Sequence, residues 1–449
     1  MATDTDSIQD WLKQHRISEV ECLVPDMAGN ARGKFIPAHQ FLSRGEPRLP
    51  ESILIQTVTG EYCDEHWDFV EPTDTDMILR PDRSTLRLVP WAREPTAQII
   101  HDCYTQGGEL HPLSTRNVLR KVLALYARDG LLPVVAPEVE FYLVSRNLDP
   151  DLELSPPQGR SGRSESSRQS YSIDAVAEFE DFVEDMYDFA EAQELQVDTL
   201  IHENGVAQME INFEHGDPLS LADQVFVFKR TVRETAHKHG MYATFMAKPM
   251  QREVGSALHI HQSVRSLDSG ENIFSDGRGG HAPALLHYIG GLQRYTPELI
   301  SLYAPNVNSY RRLAPEIAAP INLNWGLDNR TTAFRVPRSQ DDATRVENRF
   351  PGADANPYLA FAATLASGYL GMQRQLNPGE PHRGTANEDD VEVARTLEEG
   401  LRQLQDSPEV CEIFGELFLR AYAAVKRDEF EEFNQVISSW EREHLLLQV

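Results

Sequence analysis

The stretch Val134-Val135-Ala136-Pro137-Glu138-Val139-Glu140-Phe141-Tyr142-Leu143-Val144 alternates apolar side chains with acidic or aromatic ones, and this alternation governs how the chain is read. Successive side chains on a β-strand point to opposite faces. Val139, Phe141 and Leu143 therefore share one face, and Glu138, Glu140 and Tyr142 share the other. The expectation is a strand with one face in a core and two carboxylates projecting from the other. Simple surface glutamates on an edge strand account equally well for this pair alone.

Farther along, Glu203-Asn204-Gly205-Val206 carries the Asn-Gly pair that favours a two-residue hairpin loop. Such a loop sets Glu203 opposite Val206. It places Gln208 and Glu210 on the face of Glu203, and Ala207, Met209, Ile211 and Phe213 on an apolar face. Four carboxylates on two such elements repel one another unless cations sit among them, and oxygen-rich sites suit Mg2+ or Mn2+. The run Gly255 to Ser263 sets His259, His261 and Ser263 on one face, just after a glycine that permits close ligand approach. One histidine there reads most simply as a hydrogen-bonded core residue, whereas two in register with acidic strands favour ligation.

Arg345, Glu347 and Arg349 alternate in the same manner, either as part of the site or as a surface ion-pair ladder. Arg311, Arg312, Arg330 and Arg335 add planar donors suited to carboxylate and phosphate. No Walker-type Gly-Lys-Ser/Thr loop and no serine or cysteine nucleophile motif occurs, so a nucleotide would have to be held by metal and arginines. The residues alone define a metal-dependent enzyme handling phosphate.

A chain of 449 residues accommodates about three domains, or one small domain beside a large one. Its 42 Lys and Arg against 70 Asp and Glu give a net charge of -28, which argues against nucleic acid or an anionic membrane as the main partner. A cationic substrate is accommodated more easily, although a solvated acidic surface has the same composition. The 4 cysteines form no paired spacing, which fits a reducing cytoplasm. Neither a basic-then-apolar leader nor a membrane-spanning run is present, so a soluble cytoplasmic protein is expected.

Residues 1 to 110 read as a short helix around Ile8 to His15 followed by strands such as Glu19 to Val24 and Ala97 to Ile100. Ser114 or Thr115 can cap a helix that stops at Gly130, so a second domain spans 111–449. Ser155 to Ser170, rich in Ser, Gly and Arg, reads as a mobile loop. Asp174 precedes a helix with Phe179, Phe182, Met186 and Phe189 on one face; Ser220 opens another that ends at Gly240, and Asn356-Pro357 starts a third.

Taken in order, these pieces resemble the type I glutamine synthetase family over nearly the whole chain. The matching motifs are Pro137 to Phe141, His202-Glu203 to Glu210, Lys248-Pro249, Gly255 to Ser263, Asn308 to Leu313, Asn329-Arg330 with Arg335 and Pro337, Arg345 to Pro351, and Ala355 to Tyr358. The resemblance implies an α+β fold, with a small N-terminal β-grasp-like domain and a catalytic domain whose antiparallel strands form a funnel. It implies stacked hexameric rings, a homododecamer, with sites between subunits. Glu140, Glu203 and Glu210 would bind one metal, and Glu138, His259 and Glu347 another. His261, Ser263, Arg335 and Arg345 would face ATP; Gly255, Arg312 and Arg349, with Glu140 nearby, would hold glutamate; Arg330 would stabilise the phosphoryl group in transfer.

Two departures bear on the second substrate. The Asp-Gly-Ser-Ser segment of ammonia-using members is replaced by Gln56-Thr57-Val58-Thr59-Gly60, and Ala318 stands where the family has its flap glutamate. Glu316, two residues earlier, is the candidate catalytic carboxylate left on the flap. Fewer anions and more space favour an acceptor larger than ammonium. Thr57, Thr59, Tyr62 and Ala318 are the candidate amine pocket. The asparagine usual before the histidine-motif glycine is Val254 here, and no adenylylation segment is recognisable near residues 385 to 400. The expectation is a γ-glutamylpolyamine synthetase-like ligase for a primary amine such as putrescine, working through γ-glutamyl phosphate with Mg2+ or Mn2+. A bulky aromatic or other monoamine, ammonium itself, or an inactive structural or regulatory role are the alternatives.

Overall fold

The computed structural model describes residues 4–43, 45–315, 319–405 and 407–449. Two sheets carry an α+β fold. The first contains β1 (Glu19–Pro25), β2 (Ala31–Pro37), β3 (Arg48–Pro50), β4 (Asp76–Pro81), β5 (Arg87–Leu88) and β6 (Thr96–Tyr104). Their order is β2-β1-β6-β4-β3, with β5 beside β6. Within it β1 and β6 run parallel, and β1 is buried on both faces from Val20 to Pro25. Ile8 and Leu12 of the helix Asp4–Gln14 pack on Val20 and Cys22, because both surfaces are apolar at the matching period.

The second sheet contains β7 (Leu131–Ser145), β8 (Val197–His202), β9 (Gln208–Phe213), β10 (Met241–Thr244), β11 (Leu258–Ser266), β12 (Trp325–Leu327), β13 (Phe334–Val336) and β14 (Val346–Asn348). The order β12-β13-β14-β11-β7-β9-β8 is antiparallel except at β12 and β13, and β10 pairs with the far end of β7. The alternation expected of β7 is present: Val139, Phe141 and Leu143 are fully buried, and the Phe141 ring meets Phe182, Phe228 and Phe245. Helices Thr115–Arg128, Pro218–Lys238, Pro283–Tyr303 and Pro357–Arg374 pack about this apolar side. The last begins as expected, with Asn356 accepting from the Tyr358 and Leu359 amides and Pro357 at the first helical position.

One guanidinium ties the layers together. Arg116, 1% exposed, bonds Asp223 of the helix Pro218–Lys238 through two nitrogens at 2.9 and 2.8 Å, and also bonds Asp82 at 2.6 Å and Asp102 of the first sheet. A fully buried arginine is tolerated only with such pairing.

Three local expectations need correction. The hairpin between β8 and β9 pairs His202 with Met209, and Glu203 donates its amide to the Gln208 carbonyl, so the loop is longer than Asn204-Gly205. Gly205 serves close packing there, since a Cβ would stand 1.9 Å from the Tyr142 hydroxyl, and the left-handed residue is instead Ala207 at φ +54. The helix after Asp174 is broken at Phe179 into Ile173–Ala177 and Glu180–Ala192, and the cap of the Pro218 helix is Asp217 rather than Ser220. The Ser155 to Ser170 segment lacks regular structure, but Glu165 within it is buried and bonded to His202 and Ala207.

Candidate active site

Strand register assembles the polar face. β7 and β11 set Glu138 opposite His259, β7 and β9 set Glu140 opposite Glu210, and β14 sets Glu347 opposite His261 on one side and Arg335 on the other. These residues are far apart in sequence but lie on one surface because each occupies the same phase of a period-2 pattern. Two donor groups result, each with its ligand atoms within 4.8 Å of one another: Glu138, His259 and Glu347, and Glu140, Glu210 and His259. Glu203 lines the same cavity but joins neither group; its carboxylate accepts from the Asn204 amide at 3.1 Å.

Hydrogen bonds fix the orientation of several members. Glu138 accepts from His261 Nε2 at 2.8 Å and faces His259 Nδ1 at 3.3 Å. Arg345 Nε donates to His261 Nδ1 at 3.3 Å, which assigns the ring proton to Nε2. Glu347, 1% exposed, receives Arg335 at 3.0 Å and Arg349 at 2.6 Å. Glu140 accepts from the Ala257 amide at 2.9 Å and from Gln208 at 3.1 Å. Arg312 donates to the Phe350 and Arg349 carbonyls, so its terminal nitrogens also brace the backbone around Arg349. Gly255 is obligatory for this packing, because a Cβ would come within 2.6 Å of the Ala247 carbonyl oxygen and 2.7 Å of Arg312 Cγ.

The titration pattern reflects crowded anions. Burial, reinforced by the charges of Glu138, Glu140, Glu203 and Glu347, pushes Glu210 up to about 10. Burial and then Glu203 push Glu140 up to about 8. Burial also tends to raise Glu347, but Arg349 and then the two histidines hold it down at about 2. Burial would likewise raise Glu138, yet hydrogen bonds from His259 and His261 keep it low. Burial and the Arg349 charge lower His259 to about 4, leaving a neutral imidazole able to ligate. Buried carboxyls raised by one another, beside a neutral histidine, fit a site for hard divalent cations.

A cavity of about 460 Å³ lies over this face. Its lining holds Glu138, Glu140, Glu203, Glu210, His259 and His261 together with Gly255, Arg312, Arg330, Arg335, Arg345 and Arg349. A second cavity of about 630 Å³ contains Ser263 and shares Glu138, His261 and Arg345 with the first. Most of the expected site residues are thus brought together. Thr57, Thr59 and Tyr62 are not: within this chain their turn leans on the helix Glu416–Asn434, with Val58 donating to Glu429 at 2.7 Å and Thr59 to Glu432 at 3.3 Å. Glu316 and Ala318 lie outside the described residues. Sequence reading missed Tyr171, Ile201 and Ala319 as lining residues, since a loop tyrosine and isolated aliphatics carry no motif, whereas Val254 is marked by its place before Gly255.

Residues 112–445 match the family described as glutamine synthetase, catalytic domain. The chain is 34% identical to the glutamate–isopropylamine ligase of a Pseudomonas species, across 97% of this chain and 96% of that one. It is 34% identical to the gamma-glutamylputrescine synthetase PuuA of Escherichia coli K12, across 98% and 94%. The solved structure of GmaS without ligand matches with a TM-score of 0.83 at 26% identity, covering 98% of this chain and 99% of that one. The chain belongs to the glutamine synthetase family. By class it is an enzyme, a ligase of the ATP-dependent glutamate–amine type that forms carbon–nitrogen bonds, and the family depends on ATP and a divalent metal. No helix among the described residues is long and apolar enough to cross a membrane.

Proposed function

We propose that this enzyme joins the γ-carboxylate of glutamate to a primary amine larger than ammonia, a polyamine such as putrescine being favoured. The observation that carries this is the composition of the cavity. Its only carboxylates among the described residues are Glu138, Glu140, Glu203 and Glu210, while Tyr171, Ile201, Val254 and Ala319 give it an apolar side. Among the described residues the lining thus offers no anion beyond the proposed metal ligands, and its apolar side gains from burying an acceptor's methylene groups. Two relatives of equal identity are named for amines that carry carbon, isopropylamine and putrescine.

Glu138, His259 and Glu347 would hold one Mg2+ or Mn2+, and Glu140, Glu210 and Glu203 a second. Such cations, when bound, offset the charge of the ATP phosphates and of the attacking carboxylate. His261, Ser263, Arg335 and Arg345 orient the nucleotide from the second cavity, and Gly255, Arg312 and Arg349 seat glutamate. A γ-carboxylate oxygen of glutamate displaces ADP from the terminal phosphorus, and Arg330 donates to that phosphoryl group as it moves. The amine nitrogen then bonds to the γ-carbon, inorganic phosphate leaves, and the amine gives up a proton; Glu316 is the proposed flap carboxylate on that side. The turn carrying Thr57, Thr59 and Tyr62, in which Thr59 and Tyr62 are exposed and Thr57 is buried, completes the amine pocket of a neighbouring subunit in stacked hexameric rings. Residues 1–110 and 111–449 are taken as the two domains of each subunit.

The test is phosphate release from ATP with glutamate and Mg2+ against ammonium, diamines, polyamines and aromatic amines. A diamine or polyamine is expected to give the highest kcat/KM. Ammonium as best acceptor defeats the proposal. The apolar side favours a bulky monoamine as the second reading, and a monoamine as best acceptor selects it.

A further inference from the structure

A buried carboxylate outside the cavity holds the turn that carries Glu203. Glu165 sits in the irregular Ser155 to Ser170 segment, with its side chain only 7% exposed. Its Oε2 accepts from the Ala207 amide at 2.6 Å and from His202 Nε2 at 3.0 Å. The other nitrogen of His202, Nδ1, lies 2.8 Å from the Glu203 carbonyl oxygen. Both ring nitrogens therefore face oxygen atoms, one on each side of the ring. The result is a buried histidine–carboxylate pair whose far end reaches the backbone of Glu203.

Two further features show that the turn needs holding. Ala207 is fully buried in the left-handed region at φ +54, a conformation costing a non-glycine residue about 1–2 kcal/mol, and its amide is the one bonded by Glu165. The same segment continues across the turn: Ser170 Oγ donates to Asn204 Oδ1 at 2.5 Å, and the Tyr171 amide donates to the His202 carbonyl at 2.9 Å. Arg168 donates to the Arg252 carbonyl at 2.9 Å, two residues before Val254 of the cavity wall. The segment thus braces two walls of the cavity from outside.

We propose that Glu165, through its pairing with His202 and the Ala207 amide, is a positioning residue that sets the Glu203 carboxylate for the cation shared with Glu140 and Glu210. The inference rests on the ligase reading above, in which Glu203 is a ligand. Groups that orient ligands from behind alter metal affinity by about 10–100-fold when removed.

The experiment measures Mn2+ binding to the full chain by the electron paramagnetic resonance of free Mn2+, together with phosphate release across a Mn2+ series. Glu165→Ala is expected to weaken one of the two Mn2+ sites about tenfold and to raise the Mn2+ concentration for half-maximal rate in parallel, with kcat recovering at high Mn2+. Glu165→Gln, which keeps an amide oxygen in place of Oε2, is expected to recover most of that affinity. Should Glu165→Ala fail to fold, Glu165→Gln decides, with a twofold to threefold weakening expected. Mn2+ binding equal to wild type in a folded variant overturns the role of Glu165. Absence of Mn2+ binding and of amine-dependent phosphate release in the wild type would instead defeat the ligase reading.

Discussion

Replacing Glu347 separates its two roles. Its carboxylate is 1% exposed and takes Arg349 at 2.6 Å and Arg335 at 3.0 Å, while His259 Nδ1 lies 3.8 Å away. Glu347→Ala leaves two guanidiniums facing an empty buried site. Removing one partner of a buried ion pair costs about 3–5 kcal/mol, and this variant belongs in that range rather than at its double, because one carboxylate serves both arginines. Glu347→Gln keeps the shape and one acceptor oxygen, so the expected loss is about 1.5–3 kcal/mol, the worth of a hydrogen bond to a charged group. Urea unfolding at fixed protein concentration reads both values, and phosphate release from ATP with glutamate and amine reads activity at saturating Mg2+. Both variants are expected to be inactive, with Glu347→Ala less stable than Glu347→Gln. Activity within twofold of wild type in Glu347→Ala refutes the ligand role. An inactive Glu347→Ala with an unchanged urea midpoint refutes the argument that the carboxylate supports its arginines.

Gly255→Ala should raise the KM for glutamate and lower kcat, because the new methyl group meets the Ala247 carbonyl at 2.6 Å and backbone cannot yield as a side chain can; unchanged steady-state kinetics would contradict this. His101 is wholly buried, and burial lowers it from 6.5 to about 4. The unfolded chain therefore takes up the proton first, so stability present at pH 7 falls as pH drops from 6.5 toward 4, by about 3 kcal/mol from this group. Urea midpoints between pH 4 and 7 should show a flatter profile in His101→Asn than in wild type. Ala318→Glu should raise the ratio of ammonium to bulky-amine turnover in a competition assay, and an unaltered ratio would count against the flap reading.

What was legible in the sequence followed from periodicity and caps. The faces of β7 could be read because alternation is a local property, and the start of the Pro357 helix could be read because Asn-Pro is a cap written in adjacent residues. The hairpin loop was misread for the opposite reason. Asn204-Gly205 is a local signal for a tight turn, but what requires that glycine is the distant Tyr142 hydroxyl. Glu165 was invisible in a segment whose composition says only that little can be buried, since one buried carboxylate leaves no pattern. The Thr57 to Tyr62 turn is placed near the amine by its family motif alone; within the chain the Val58 amide and the Thr59 hydroxyl donate to Glu429 and Glu432 of the Glu416–Asn434 helix.

The Arg116 joint has a consequence for unfolding. Cutting the chain at residue 110 would strip Arg116 of Asp82 and Asp102, and would expose the carbonyls of Asp26 and Met27 now held by Asn356. The larger apolar core also runs without interruption from Leu23 and Leu79 to Val139 and Phe361. The two sheets should therefore melt in a single cooperative step, and neither half should persist as an autonomous fragment once its partner is removed.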